Sequence, residues 1–251
     1  MQTTRRSFLA MAASLAATPV LAAPPRIEAI GFDAFTIFDP RSLDAAAETW
    51  FPGQGEALSA LWKAKMFDYC WLRTLNRRYA DFARVAADSL RFACAAKGLE
   101  PKPDAIAAMV GVFSALKPWP DSAQALTRMR DAGLRLAYLS NLTEAMLEAS
   151  DAAAGIAGLF EHRLSTDRVQ AYKPDPRAYA MAEGAFGVRR DHVLFAAFGG
   201  WDYSGAKSFG LETFWVNRFG VPREELGVAP DGEGRLLTDL AAYAIARTRR
   251  S

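Results

Sequence analysis

The sequence predicts an α/β fold, a doubly wound parallel sheet whose first strand is followed by an inserted all-helical cap. Three observations predict it. Short apolar runs of strand character stop at polar residues on either side of a long stretch without strands. Between about Ser42 and Leu116 the apolar residues recur at helical spacing instead. Beyond Asp121 strand-like and helix-like segments alternate, the pattern of a parallel sheet with helices on both faces.

Taken in order, residues 1–22 read as a leader outside the fold. Arg5-Arg6-Ser7-Phe8-Leu9 precedes an Ala-rich apolar run that ends in Val20-Leu21-Ala22. A charged start, an apolar middle and a small-residue end make a secretory signal, and the paired arginines resemble a twin-arginine export signal. Export by the twin-arginine machinery to the periplasm is therefore expected, with cleavage after Ala22. The run is too short and too rich in alanine for a stable membrane span.

Ile27 to Phe32 reads as the first buried strand, ending at Asp33. In the helical stretch, Trp62, Met66, Tyr69 and Cys70 share one apolar face, and Phe82, Val85, Leu90 and Phe92 continue it. Pro101 and Pro103 punctuate the stretch, and Pro118 and Pro120 close it. Leu134–Leu139 reads as a second strand with a helix over 143–153. His192–Phe198 is a third strand, with a helix near 203–209, and Thr213–Val216 a fourth. The core thus spans 23–41 and 117–251, and the cap 42–116. In doubly wound sheets ligands bind outside the carboxyl ends of the strands. Asp33, Ser140 and the segment Gly199–Asp202 each follow directly on a strand, and Lys173 reaches the same edge from a less regular stretch, Leu164 to Tyr172.

Composition narrows the function. Of 251 residues, 51% are hydrophobic and 23% charged, which is ordinary globular usage and excludes disorder or fibrous repeats. Lys plus Arg number 30 and Asp plus Glu 28. Loss of Arg5 and Arg6 with the leader brings the mature charge to about zero, which argues against nucleic-acid binding. Two histidines and two cysteines are too few for a zinc site of the usual spacing, so neither a metal nor a cofactor is expected. An oxidising compartment raises a Cys70–Cys94 disulfide as an alternative. Two buried free thiols are the expectation, because both residues lie inside helical patterns.

Four segments in order carry a resemblance. Phe32-Asp33-Ala34-Phe35-Thr36-Ile37-Phe38-Asp39, Ser140-Asn141, Tyr172-Lys173-Pro174-Asp175-Pro176 and Gly200-Trp201-Asp202 resemble the four motifs of the haloacid dehalogenase superfamily. Trp62-Lys63 and Phe67–Arg73 in the cap are similar to the L-2-haloacid dehalogenases in particular. The resemblance implies a Rossmann-like core and hydrolytic dehalogenation of short L-2-haloalkanoic acids, without a cofactor, in an enzyme that commonly pairs as a homodimer. It implies Asp33 as the nucleophile that forms an ester with substrate, and Lys173 as its ion-pair partner. Ser140 and Thr36 would bind the substrate carboxylate, Asn141 and Lys63 the departing halide. Asp202 would orient water for ester hydrolysis. Tyr179, Phe35, Phe67, Phe82 and Trp201 match pocket positions.

Phosphatases of the superfamily resemble Asp-x-Asp at the first motif, where the second Asp protonates the leaving alkoxide. Phe35 occupies that position here and cannot donate a proton, a loss that disables phosphoester cleavage far more than departure of a halide. Three further departures stand out. The Gly that precedes the threonine in Asp-x-Tyr-Gly-Thr is missing, the halide-binding arginine is Lys63, and Ser-Ser-Asn before the final motif has become Ala197-Phe198-Gly199. The hydroxyl and amide expected to hold the hydrolytic water are thus absent. An exported binding protein of low turnover, and more distantly a phosphatase, are the alternative readings.

Overall fold

A computed structural model describes residues 26–248; the leader expected over 1–22 lies outside the described residues. Ala29–Phe32 forms β1, the centre of a six-stranded sheet in the order β3-β2-β1-β4-β5-β6 with every pair parallel. The others are β2 (Arg135–Ser140), β3 (His162–Ser165), β4 (Val193–Ala197), β5 (Glu212–Val216) and β6 (Gly232–Gly234). All four residues of β1 are buried, as expected of a central parallel strand covered on both faces. The chain runs from β1 outward through β2 and β3, then returns to the other side of β1 as β4. The gap between β1 and β4 is therefore the switch point where such sheets bind ligands.

A single helical turn, α1 (Ala34–Ile37), follows β1, and then come α2 (Arg41–Trp50), α3 (Gly55–Leu75), α4 (Phe82–Ala96) and α5 (Pro103–Gly111) before the chain rejoins the sheet. The remaining helices are α6 (Ser122–Asp131), α7 (Glu144–Ala154), α8 (Pro176–Phe186), α9 (Gly200–Phe209) and α10 (Leu237–Ala246). Tyr179 and Phe186 of α8 and Tyr203 of α9 bury one face of the sheet. The opposite face carries Leu126 and Met129 of α6, Leu147 of α7 and Leu240 of α10, in a core continuous with the inserted helices.

Trp62, Met66 and Cys70 are buried as the α3 periodicity predicts, with the Trp62 indole donating to the Ala86 carbonyl at 2.9 Å. Phe92 departs from that reading. It is an exposed residue whose ring meets Tyr69 edge-on, because the buried stripe of α4 runs through Val85, Ser89, Leu90 and Ala93 instead. Cys70 and Cys94 are buried free thiols. Two short strands had no clear sequence signal: β3 runs into the less regular stretch that begins at Leu164, and β6 is a three-residue edge strand. None of the described helices is long and apolar enough to cross a membrane.

Candidate active site

Asp33 ends β1 and caps α1. Its extended backbone (φ −62°, ψ 136°) lets Oδ1 accept from the Phe35 N–H at 2.8 Å, the usual arrangement for an aspartate at a helix start. Its backbone N–H donates to Ala196 of β4, which ties it to the switch point. Ser140 ends β2, and its hydroxyl oxygen accepts from the Leu142 N–H at 3.1 Å. Asn141 accepts from the Lys173 N–H at 3.1 Å, while the Trp71 indole of α3 donates to the Lys173 carbonyl at 3.2 Å. With both its peptide groups held, Lys173 sends its side chain inward beneath the sheet edge.

The Lys173 ammonium is fully buried and lies 2.6 Å from Asp33 Oδ2 and 2.6 Å from Asp202 Oδ2, with Phe195 below it at 5.1 Å. Burial opposes its charge, yet attraction to Asp202 and Asp33 outweighs burial and holds its pKa above the ordinary lysine value. Asp202 is equally buried. Burial, partly offset by Lys173 and reinforced by repulsion from Asp33, pushes its pKa up to about 6. The Tyr179 hydroxyl donates to Asp202 Oδ1 at 2.7 Å. Asp33 is thus the cavity-facing end of a chain of charge-assisted bonds running Tyr179, Asp202, Lys173, Asp33.

In front of Asp33 lies a cavity of about 110 Å³ lined by Asp33, Phe35, Phe67, Phe82, Ser140, Asn141, Leu142, Phe198, Gly199 and Trp201. Of the side chains singled out from the sequence, the structure therefore brings Asp33, Phe35, Phe67, Phe82, Ser140, Asn141 and Trp201 to one space. Lys173, Asp202 and Tyr179 stand behind it.

Two placements differ from expectation. Thr36 does not line the cavity, because its buried hydroxyl donates to its own turn at the Asp33 carbonyl, 2.7 Å away. Lys63 is not brought to the cavity either. Its ammonium pairs with Asp44 of the neighbouring α2 at 2.6 Å, half-exposed. Asp202, expected to orient water, has both carboxylate oxygens occupied and no exposed surface, and what it orients directly is Lys173. Leu142 and Phe198 line the cavity although the sequence reading assigned them no role. Both sit within two residues of a strand end, which is the signal that could have found them.

Gly199 leaves room for a neighbour rather than for its own side chain. A Cβ there would lie 2.7 Å from the Trp201 indole nitrogen, so the ring occupies the space an asparagine would need. Phe67 and Trp71 meet Trp201 edge-on at 5.4 and 5.6 Å and close the cavity on the α3 side. Among the described residues no group of three His, Cys, Asp or Glu side chains is placed to hold a metal ion.

A sequence model of haloacid dehalogenase-like hydrolases matches residues 16–210. The chain belongs to that family. The (S)-2-haloacid dehalogenase of Pseudomonas sp. (strain YL) is 39% identical over 208 residues, 82% of this chain and 90% of its relative. Among solved structures, the L-2-haloacid dehalogenase RSc1362 superposes with a TM-score of 0.85 at 42% identity, covering 87% of this chain and 99% of that one. The L-2-haloacid dehalogenase of Xanthobacter autotrophicus with chloropropionic acid covalently bound gives 0.81 at 35% identity, over 86% and 97% of the two chains. The phenylalanine at position 35 is the feature by which this haloacid dehalogenase-like hydrolase departs from the Asp-x-Asp pattern of phosphatases.

Tyr179→Phe removes the donor that favours ionised Asp202, so the Asp202 pKa rises above about 6. Turnover at neutral pH falls about tenfold and recovers at higher pH, which a pH–rate profile of kcat checks. The stability sign is opposite. A carboxyl whose folded pKa exceeds its ordinary 3.8 contributes most below that value, and the contribution is lost as pH rises through the folded pKa. Gly205→Ala places a Cβ 2.6 Å from both the Tyr179 hydroxyl and Pro174. Neither atom is a free side-chain end, so the variant loses about 1–3 kcal/mol in urea unfolding.

Proposed function

We propose that this protein hydrolyses short L-2-haloalkanoic acids to D-2-hydroxy acids through an ester on Asp33. The observation that carries the reading is a carboxylate facing a small, mostly apolar cavity and paired with a buried lysine at 2.6 Å, with no acid two residues on to protonate a leaving group. A halide leaves without a proton, so such a site suits carbon–halogen cleavage better than phosphoester cleavage.

An Asp33 oxygen attacks C2 from the face opposite the halogen. The C–O bond forms as the C–halogen bond breaks, and the bonding pair departs with halide. Asn141 and Ser140 are the cavity-lining donors available to the substrate carboxylate and the halide. Each Asp33 oxygen already has one donor, Phe35 N at 2.8 Å or Lys173 Nζ at 2.6 Å. Whichever oxygen is alkylated, the other becomes an ester carbonyl with a donor in place for the negative charge that develops when water attacks. Collapse of that adduct breaks the bond from the Asp33 carbonyl carbon to the alkoxide oxygen. The alkoxide leaves as the hydroxy acid with one proton from the water, the other proton passes to solvent, and Asp33 is regenerated as a carboxylate.

In this reading residues 42–116 act as the cap over a catalytic core of 23–41 and 117–251. The leader, residues 1–22, supports export through the twin-arginine machinery to the periplasm, and the family resemblance supports a homodimer; cell fractionation and light scattering test these. The reaction itself is tested by halide release from L- and D-2-chloropropionate without added metal. Multiple turnovers on the L form and none on the D form are expected. A single stoichiometric burst of halide would instead mean that Asp33 is alkylated but not regenerated, and no release from either enantiomer would refute the reading.

A further inference from the structure

The turn that carries Asp33 is held from outside by residues distant in sequence. A one-turn helix cannot satisfy its own last carbonyls, and in the shortened segment after Asp33 the partner of every carbonyl can be named. The Asp33 carbonyl accepts from Thr36, and the Ala34 carbonyl from the Phe38 N–H at 2.9 Å. The Trp119 indole donates to the Phe35 carbonyl at 3.0 Å. The Arg218 guanidinium donates to the Thr36 carbonyl at 2.8 Å, and Ser122 to the Ile37 carbonyl at 2.7 Å.

Arg218 follows β5, and although the residue is half-buried its side chain is almost wholly enclosed. Its other terminal nitrogen pairs with Asp121 at 2.8 Å, and its guanidinium lies 4.8 Å from the centre of the Trp119 ring. One planar fork therefore spans a carboxylate, a peptide carbonyl and an aromatic face, which an ammonium cannot do. Burial weakens its charge, pulling its pKa below the ordinary arginine value, and Asp121 partly compensates. The next residue, Phe219, meets both Trp119 and Phe198, and Phe198 meets Phe35 at 5.9 Å. Phe35 and Phe198 are walls of the cavity, so the same segment sets both the turn and the wall.

We propose that Arg218 is a positioning residue for dehalogenation, acting through the Thr36 carbonyl to fix the turn that aims the Phe35 N–H at Asp33 and the Phe35 ring into the cavity. The proposal rests on the dehalogenase reading for its kinetic consequence but not for its structural one. A peptide unit is planar, so fixing the carbonyls of Phe35 and Thr36 also fixes the N–H groups of Thr36 and Ile37, and the Thr36 N–H on the Asp33 carbonyl at 3.1 Å closes the turn in which the Phe35 N–H lies. Without the guanidinium, the Thr36 carbonyl loses its partner and the turn loosens at that peptide, while Trp119 and Ser122 still hold the carbonyls on either side.

The test compares wild type with Arg218→Ala and Arg218→Lys in three measurements. Amide hydrogen exchange over residues 33–38 is expected to quicken about tenfold or more in Arg218→Ala, with β2 and β4 unchanged. Turnover of L-2-chloropropionate falls about 10² per correctly folded site, as for loss of an oriented donor, and sub-denaturing guanidinium restores both exchange protection and turnover whereas sodium chloride does not. Arg218→Lys keeps the charge yet remains impaired. Unchanged exchange over 33–38, or faster exchange spread evenly across the sheet, would overturn the proposal, as would full turnover per folded site in Arg218→Ala. If wild type itself releases no halide, the dehalogenase reading fails, and the exchange data alone still decide the role of Arg218.

Discussion

Asp33→Asn abolishes halide release, with kcat for L-2-chloropropionate falling at least about 10⁴-fold, the scale on which removal of a nucleophile acts. An amide matches the carboxylate in shape but lacks the charge to displace a halide from carbon. It also reverses one contact: with Oδ1 kept on the Phe35 N–H, the amide NH₂ faces the Lys173 ammonium where Oδ2 had accepted at 2.6 Å. Lys173 retains Asp202 at the same distance, so the variant still folds. Initial-rate halide assays beside a thermal melt separate lost chemistry from lost structure, and an unfolded variant would show in the melt.

Lys173→Met carries the second large effect, on rate and on stability together. The ammonium is what allows two carboxylates to share one buried site, and its loss leaves Asp33 and Asp202 facing each other with no cation between them. Removing one partner of a buried pair costs about 3–5 kcal/mol, and turnover falls by about 10³ or more because Asp33 loses the donor that orients it. The pH dependence has a definite sign. Without Lys173, which draws the Asp202 pKa down, that carboxyl rises further in the folded state, so its contribution is present at low pH and lost as pH rises through that value. The deficit relative to wild type is therefore smaller at pH 5 than at pH 8, which melting temperatures at the two pH values check. A deficit independent of pH would mean that packing around the lysine stem, not charge, is what the variant loses.

Much of this arrangement was legible in the sequence because chemistry sits where apolar runs stop. β1, β2 and β4 are buried runs ending next to Asp33, Ser140 and the Gly199–Asp202 segment, and a parallel sheet brings such ends together. β3 escaped notice because His162 and Arg163 interrupt its burial, and β6 because an edge strand of Gly-Glu-Gly carries no apolar signal. The placement of Lys63 was not legible. Its partner Asp44 lies nineteen residues earlier on a different helix, and only the packing of α2 against α3 decides that Lys63 points there. Thr36 likewise resembles a substrate ligand in the sequence, whereas its hydroxyl is turned back on the Asp33 carbonyl of its own turn. Arg218 belongs to none of the four motifs, and its bearing on Asp33 appears only when the carbonyls of the turn are followed to their partners.

The departures at Ala197 and Gly199 bear on the second half of the reaction, since the cavity offers water no side-chain donor at either position. The donors that remain on Asp33 itself, Phe35 N and Lys173 Nζ, are where the account places stabilisation of the hydrolytic step.

The most direct measurement of the central claim is a single turnover in ¹⁸O-labelled water with enzyme in excess over L-2-chloropropionate, followed by mass spectrometry of the product and of the peptide containing Asp33. If water attacks the Asp33 carbonyl carbon, the label enters the Asp33 carboxylate and the first lactate formed is unlabelled. Labelled lactate with an unlabelled Asp33 peptide would mean that water attacks C2 directly, and the ester on Asp33 would be ruled out.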